Sequence, residues 1–427
     1  MPPEFYKKRI IAERVRPAKI LLFTLGLFTT IYCQGQNDNY FMVSGKITDK
    51  NTDEPLSFAA IGINGTSIGV ASNELGEFII NIPRSKLLDT LIVSMLGYHR
   101  YKCPINELSG EDNIQLEERV YKLNEVLITA KNKDLSGDEI LKRARKSRKS
   151  NLPQTDYSLS TFFRETYQLN GEYFRLLEAA SIIYGKAFPR TKKDVFINEI
   201  RIAPGKDPIV PLSIGHKYNP FRELQGITGT VPNKKACRSC NYEIEKYIFN
   251  EDNPAVIITS KYVSKDSSYQ SRFTYTIDLT DYAVLQFDFE TVMPFGIGFP
   301  ETLDSTYNSS LIYLKRRLDY TEYKGRYYLN QYHQHLKHAY RAINSNETYS
   351  SVHQFQLVTN KIDINVTYEG QQDEKMNYRH QLESNLKEYN ESFWKNYNVL
   401  KQTPLDQKII SDLEKNRALE LQFKSNE

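Results

Sequence analysis

Val43-Ser44-Gly45-Lys46-Ile47-Thr48-Asp49, Gly65-Thr66-Ser67-Ile68-Gly69-Val70, Asn73-Glu74-Leu75-Gly76-Glu77-Phe78 and Ser94-Met95-Leu96-Gly97-Tyr98 punctuate the stretch from Phe41 to Glu117. Small-residue turns there separate alternating apolar runs. Each glycine falls where two strand-like runs meet, and only glycine reaches a positive φ without steric cost, so these read as turns spaced for an all-β sandwich. Period-2 patterning agrees: Phe78, Ile80 and Ile82 share one side of a run, and Leu91, Val93 and Met95 one side of another. Asn73-Glu74-Leu75-Gly76 has the residues of a type I turn with glycine in fourth place.

This set of turns resembles the carboxypeptidase regulatory-like domain, whose fold is a transthyretin-like β-sandwich. Where that family usually has Thr-Asp ahead of the turn, this chain has Ser72-Asn73. Asparagine also bonds its own backbone, so the turn is kept, while too few acidic oxygens remain to cage a calcium ion. The resemblance implies a sandwich over residues 40–117 and says more about what the chain is than about what it does.

A chain of 427 residues holds roughly two or three domains. With 40% apolar and 25% charged residues it is an ordinary globular composition, and a net charge of +4 is too slight to imply nucleic acid. The 30 tyrosines and 21 phenylalanines lean the chain toward strands, so a mainly β protein is expected.

Residues 1–35 read as a signal peptide. A basic leader (Lys7, Lys8, Arg9, Arg14, Arg16, Lys19) precedes an apolar run from Ile20 to Tyr32 and the polar Cys33-Gln34-Gly35-Gln36. A retained anchor and a lipidated Cys33 stand beside that reading. Export leaves Cys103, Cys237 and Cys240. Cys237-Arg238-Ser239-Cys240 has redox-motif spacing without a thioredoxin context, so Cys237 and Cys240 form a candidate local disulfide, with free thiols as the alternative.

Residues 118–134 are expected to be a connector strand or linker. Its Lys122-Leu123-Asn124-Glu125-Val126-Leu127-Ile128-Thr129-Ala130 is similar to the segment that leads from this sandwich into the plug of TonB-dependent receptors. The remaining 300 or so residues are too few for the roughly 22-stranded barrel of a receptor. Leu123, Glu125, Val126 and Ile128 are therefore a candidate partner strand, or else a plain β-branched connector.

A larger antiparallel β-rich domain with one leading helix is expected over residues 135–375. Ser136 and Glu139 make a capping box, Ile140, Leu141, Ala144 and Leu152 a thin apolar face, and Lys142, Arg143, Arg145, Lys146, Arg148 and Lys149 a basic one. That basic face is either solvated or a contact for an anionic envelope surface. Strand patterns follow, with hairpin turns at Asn170-Gly171, Thr280–Tyr282 and Lys324-Gly325, and a Pro- and Gly-rich insertion from Pro204 to Lys235. One helix and a long antiparallel meander look like the incomplete barrel of the lipoprotein-localisation factors, which implies an acyl-binding hollow; a curved sheet on a helix also builds a plain core. Residues 376–427 are expected to be a helical tail, with Trp394 anchoring it to the sheet.

Catalytic motifs leave no trace. His333 and His335 would share a strand face, with His338 nearby, but no carboxylate or cysteine accompanies them, which favours a solvated polar face over a metal site. His380 and Glu383 have the spacing of a zinc carboxypeptidase pair, yet no third histidine follows. Gly-x-Ser-x-Gly, phosphate-loop and His-Glu-x-x-His patterns are missing. The sequence thus predicts a non-enzymatic, exported cell-envelope protein of the Gram-negative type, without catalytic residues, cofactor or metal. Binding or scaffolding at the periplasmic or outer-membrane face, of lipid or lipoprotein, leads; an accessory of TonB-linked uptake and an uncharacterised hydrolase are the alternatives.

Overall fold

The computed structural model describes residues 39–119, 135–190, 192–203, 219, 221–224, 241–250, 253–265, 269–296, 301–302, 307–367, 375–377, 382–400, 404–415 and 417–424. The N-terminal region is the expected sandwich. Its strands are β1 (Tyr40–Asp49), β2 (Ala60–Ile63), β3 (Gly69–Ala71), β4 (Glu77–Pro83), β5 (Thr90–Ser94), β6 (Tyr101–Pro104) and β7 (Glu111–Leu116). They form two sheets, ordered β4-β1-β7 and β3-β2-β5-β6. Alternation does the sorting: Val43, Ile47, Phe78, Ile80 and Ile82 face Ile61, Leu91 and Val93 in one buried cluster.

Gly76 takes φ +74°, and a Cβ there would lie 2.3 Å from the carbonyl oxygen of Ile47. Its N–H closes the turn on the Asn73 carbonyl at 3.0 Å. Asn73 Oδ1 accepts from the N–H groups of Leu75 and Glu77, both at 2.9 Å, so this oxygen serves the turn itself. Gly45 departs from the turn reading. It sits inside β1, where a Cβ would lie 2.0 Å from the Asp112 carbonyl oxygen of β7 and 2.8 Å from the Phe78 ring. Close backbone approach, not a turn, demands that glycine.

The second region is one large sheet. It is built from β8 (Tyr157–Leu169), β9 (Glu172–Gly185), β10 (Lys193–Ala203), β11 (Glu243–Asn250), β12 (Asn253–Val263), β13 (Gln270–Asp278), β14 (Val284–Val292), β15 (Glu301–Thr302), β16 (Tyr307–Tyr323), β17 (Arg326–Ala342) and β18 (Thr348–Ile364). The order is β10-β9-β8-β18-β17-β16-β14-β13-β12-β11, with β15 on β16, so the sheet is open with β10 and β11 as its edges. All pairings are antiparallel. It is not one simple meander: the last strand, β18, pairs with the first, β8, and joins two runs of hairpins. Asn170 (φ +50°) with Gly171 (φ +85°), and Lys324 (φ +50°) with Gly325 (φ +73°), close two of these hairpins as the sequence predicts.

Five helices complete the described chain: α1 (Gly137–Asn151), α2 (Phe221–Leu224), α3 (Glu391–Asn396), α4 (Pro404–Glu414) and α5 (Leu419–Lys424). The capping box at Ser136 forms in both directions. Ile140, Leu141 and Ala144 of α1 then pack on Val256, Ile258, Tyr275 and Ile277 of β12 and β13. The tail lies on the opposite face of the sheet. Ile409 and Leu413 of α4 cover Tyr173 and Leu176, and Trp394 packs with Phe162, Ala180 and Val358. No helix among the described residues is long and apolar enough to cross a membrane.

Candidate functional site

Period-2 geometry gives the large sheet two faces of different chemistry. On the face that carries α1, Leu159, Phe163, Leu177, Ile183, Leu314, Leu318, Tyr332, Leu336, Phe355 and Leu357 form one continuous buried apolar surface spanning β8, β9 and β16–β18. Short pieces outside the sheet fill it: Phe221 and Leu224 of α2, Met376 and Leu382. Two hydrogen bonds tie these pieces to β10. Met376 N–H donates to the Val195 carbonyl at 2.9 Å, and buried Lys193 donates from Nζ to the Leu224 carbonyl at 2.8 Å. Burial pulls the Lys193 ammonium down to about 8.

The same face of the sheet, termed its hollow for its filled apolar surface, also carries a polar cluster. Glu165 Oε1 lies 2.8 Å from His353 Nε2, with side chains only 2% and 3% exposed. The Tyr167 ring stacks on His353 at 3.9 Å and 11°, and the Arg175 guanidinium lies 5.6 Å from the Tyr167 ring centre. Burial pushes the Glu165 carboxyl up, but the Arg175 charge and the His353 hydrogen bond outweigh it and hold the carboxyl below its ordinary value. His338, whose Cα pairs with Ser351 beside them, is buried with no partner for Nε2, and burial together with the neighbouring His353 pulls it down to about 4. This face is filled by the protein's own side chains, with an ionised, hydrogen-bonded carboxylate set among them.

The opposite face carries the tail on apolar patches and the sandwich on a polar one. Arg317 grips Asp319 through Nε and Nη2 at 2.9–3.1 Å and also donates to Gln286 at 3.1 Å. Phe58 of the sandwich, at φ +66°, inserts beside this group. Its ring meets His333 at 4.1 Å and Arg317 at 5.5 Å, and its carbonyl accepts from Gln331 Nε2 at 3.1 Å. Burial, then the Arg317 charge, pulls His333 down to about 3. Further along the face, Glu178 receives both Arg164 and Arg201, while Arg201 also lies 4.3 Å from the Trp394 ring. A cleft of about 650 Å³ remains between the sandwich and the sheet, lined among others by Tyr98, Arg100, Lys246, Tyr247, Asp319 and Glu322.

The sequence-derived candidates fall unevenly on this framework. Of the basic residues of α1, Arg143 donates to Tyr282 Oη at 2.7 Å and Arg148 lies 5.3 Å from the Phe188 ring centre, while Lys142, Lys146 and Lys149 are exposed. His333 and His335 do share a face and His338 takes the other, as parity requires, but they are half-buried or buried instead of forming a solvated face. The reason is local: the sandwich covers His333 and the hollow encloses His338. No group of three His, Cys, Asp or Glu residues suited to a metal occurs among the described residues. Leu123, Glu125, Val126 and Ile128, the Cys237 and Cys240 pair, the leader and His380 lie outside the described residues. Cys103 is a free, partly buried thiol. Glu165, Arg175 and His353 escaped the sequence reading, although each is a polar residue set at an apolar position of an alternating strand. That mismatch of parity was the available signal.

Residues 43–128 match the family model of the CarboxypepD_reg-like domain. No curated protein matches the chain. Among solved structures, a domain assigned to outer membrane lipoprotein sorting from Vibrio parahaemolyticus aligns at TM-score 0.24 and 9% identity, covering 55% of this chain and 95% of that one. A DUF1329 family protein from Desulfovibrio piger gives 0.23 and 9%, with the same coverages of 55% and 95%. Lipovitellin gives 0.23 and 9%, covering 59% of this chain and 29% of its own.

Proposed function

We propose that this chain, which carries a CarboxypepD_reg-like domain at residues 43–128, is an exported cell-envelope protein that binds a lipid or the acyl chains of a lipoprotein in the hollow of its large sheet, without catalysing a reaction on it. The observation that carries the reading is the single apolar surface of β8, β9 and β16–β18, filled by four side chains from segments outside the sheet. Such a surface can exchange its own plug side chains for acyl chains at little net cost in buried area, since apolar burial is non-directional and roughly proportional to area. The Glu165–His353 pair supports a polar end to the ligand. The Glu165 carboxylate is hydrogen-bonded to His353 and enclosed, an arrangement suited to orienting a head group more than to attacking one.

Native mass spectrometry of the protein purified from membranes tests this directly. Co-purified lipid at stoichiometric mass is expected, and placing a carboxylate in the wall with Leu336→Glu removes it. Lipid-free protein that also fails to take up a fluorescent fatty acid would refute the reading.

A further inference from the structure

We propose that the outer face of α1, together with the β9–β10 turn, is a docking surface for anionic lipid head groups. This surface is separate from the hollow and does not depend on what the hollow binds. Two stretches of sequence without a single carboxylate, residues 140–155 and 185–193, meet here through their described residues. Their contact is explicit: Phe188 N–H donates to the Pro153 carbonyl at 2.8 Å, and the Arg148 guanidinium lies 5.3 Å from the Phe188 ring centre.

On α1 the exposed positive charge is carried by lysine. At 100° per residue, Lys142, Lys146 and Lys149 fall within about 60° of one another, opposite the buried stripe of Ile140, Leu141 and Ala144. All three are exposed, as are Arg190 and Lys192 on the turn, and none makes an ion pair with a described residue. Asp156, which follows the first segment, is already taken by Lys186 at 2.7 Å. The acidic residues of α1, Asp138 and Glu139, sit in its first turn, where Glu139 is spent on the capping box. Two of the three arginines of α1, by contrast, are turned onto aromatic rings, Arg143 toward Tyr282 and Arg148 toward Phe188, and Arg145 is half-buried. What faces solvent is therefore a row of flexible ammonium point charges about 10 Å long on a convex helix. That geometry suits a plane of diffuse negative charge, whereas a phosphate in a pocket calls for the planar fork of arginine.

Flotation of the full chain with vesicles tests the proposal, comparing phosphatidylcholine alone with phosphatidylcholine containing phosphatidylglycerol. Preference for the anionic vesicles that weakens as salt rises is expected. The triple substitution Lys142→Ala, Lys146→Ala, Lys149→Ala should lower vesicle affinity on the order of a hundred-fold. The matching triple arginine variant should keep it, and unchanged circular dichroism verifies the fold of both. The leader run is common to every variant, so the difference between them reports the lysine row. Equal binding to neutral and anionic vesicles, or unchanged binding of the alanine variant, overturns the proposal. So does salt-sensitive capture by heparin without any by vesicles, which would assign the row to a polyanionic macromolecule. Lipid retained in the hollow of a variant that no longer floats separates this failure from that of the carrier reading.

Discussion

His338 shows how a single buried residue couples this fold to pH. Its folded-state value of about 4 lies below the ordinary 6.5, so the unfolded chain takes up the proton first. Stability is then full above about 6.5 and is lost as pH falls toward 4. Between pH 7 and 5 this one group costs about 2 kcal/mol. Urea midpoints across that range should fall, and His338→Gln should flatten the slope; an equal slope in both proteins contradicts the assignment. Gly76 is a second residue whose role is steric. With φ +74° and a carbonyl 2.3 Å from where Cβ would lie, Gly76→Ala should destabilise the sandwich by at least about 2 kcal/mol in thermal unfolding.

At the scale of elements, the sheet separates its chemistry by strand parity and its contacts by face. Along β17, Tyr332 and Leu336 line the hollow while Gln331 and His333 meet the sandwich. One shift of register would exchange the two sets and expose the apolar surface. The tail depends on one anchor in the same way. Trp394 of α3 sits 5% exposed among Phe162, Ala180 and Val358, so Trp394→Ala should cost about 3 kcal/mol and expose the tail to protease before the sheet unfolds. Simultaneous loss of tail and sheet in limited proteolysis would show that the tail is no separate layer.

For the whole molecule, three layers share one sheet: α1 and the plug segments on one face, the sandwich and the tail on the other. Their junction is assembled from short polar contacts. Ser67 Oγ donates to the Ile362 carbonyl at 2.7 Å, and Asn398 links β4 to β18 by accepting from Asn81 N–H at 2.7 Å and from Asn360 Nδ2 at 2.8 Å. Phe58 supplies the aromatic part. Phe58→Ala should therefore leave each core intact while loosening the sandwich from the sheet. Hydrogen exchange is expected to rise around residues 57–59 and 329–333 with little change in the Phe78 and Phe355 cores. Protection lost evenly across both cores would contradict this modular picture.

Local signals in the sequence determined whatever depends on neighbours along the chain. The glycine turns, the alternation of Phe78, Ile80 and Ile82, the capping box at Ser136 and the two-residue hairpins are all set by φ preferences and side-chain period. Gly45 marks where that reading stops, because its glycine answers to Asp112, 67 positions away. Only the tertiary structure decided that β18 returns to β8, that Glu165 meets His353 across 188 residues, and that Arg143 and Arg148 of α1 turn onto aromatic rings while its lysines stay exposed. Pairings of such long separation are chosen by the packing of whole layers, and no local propensity carries that information.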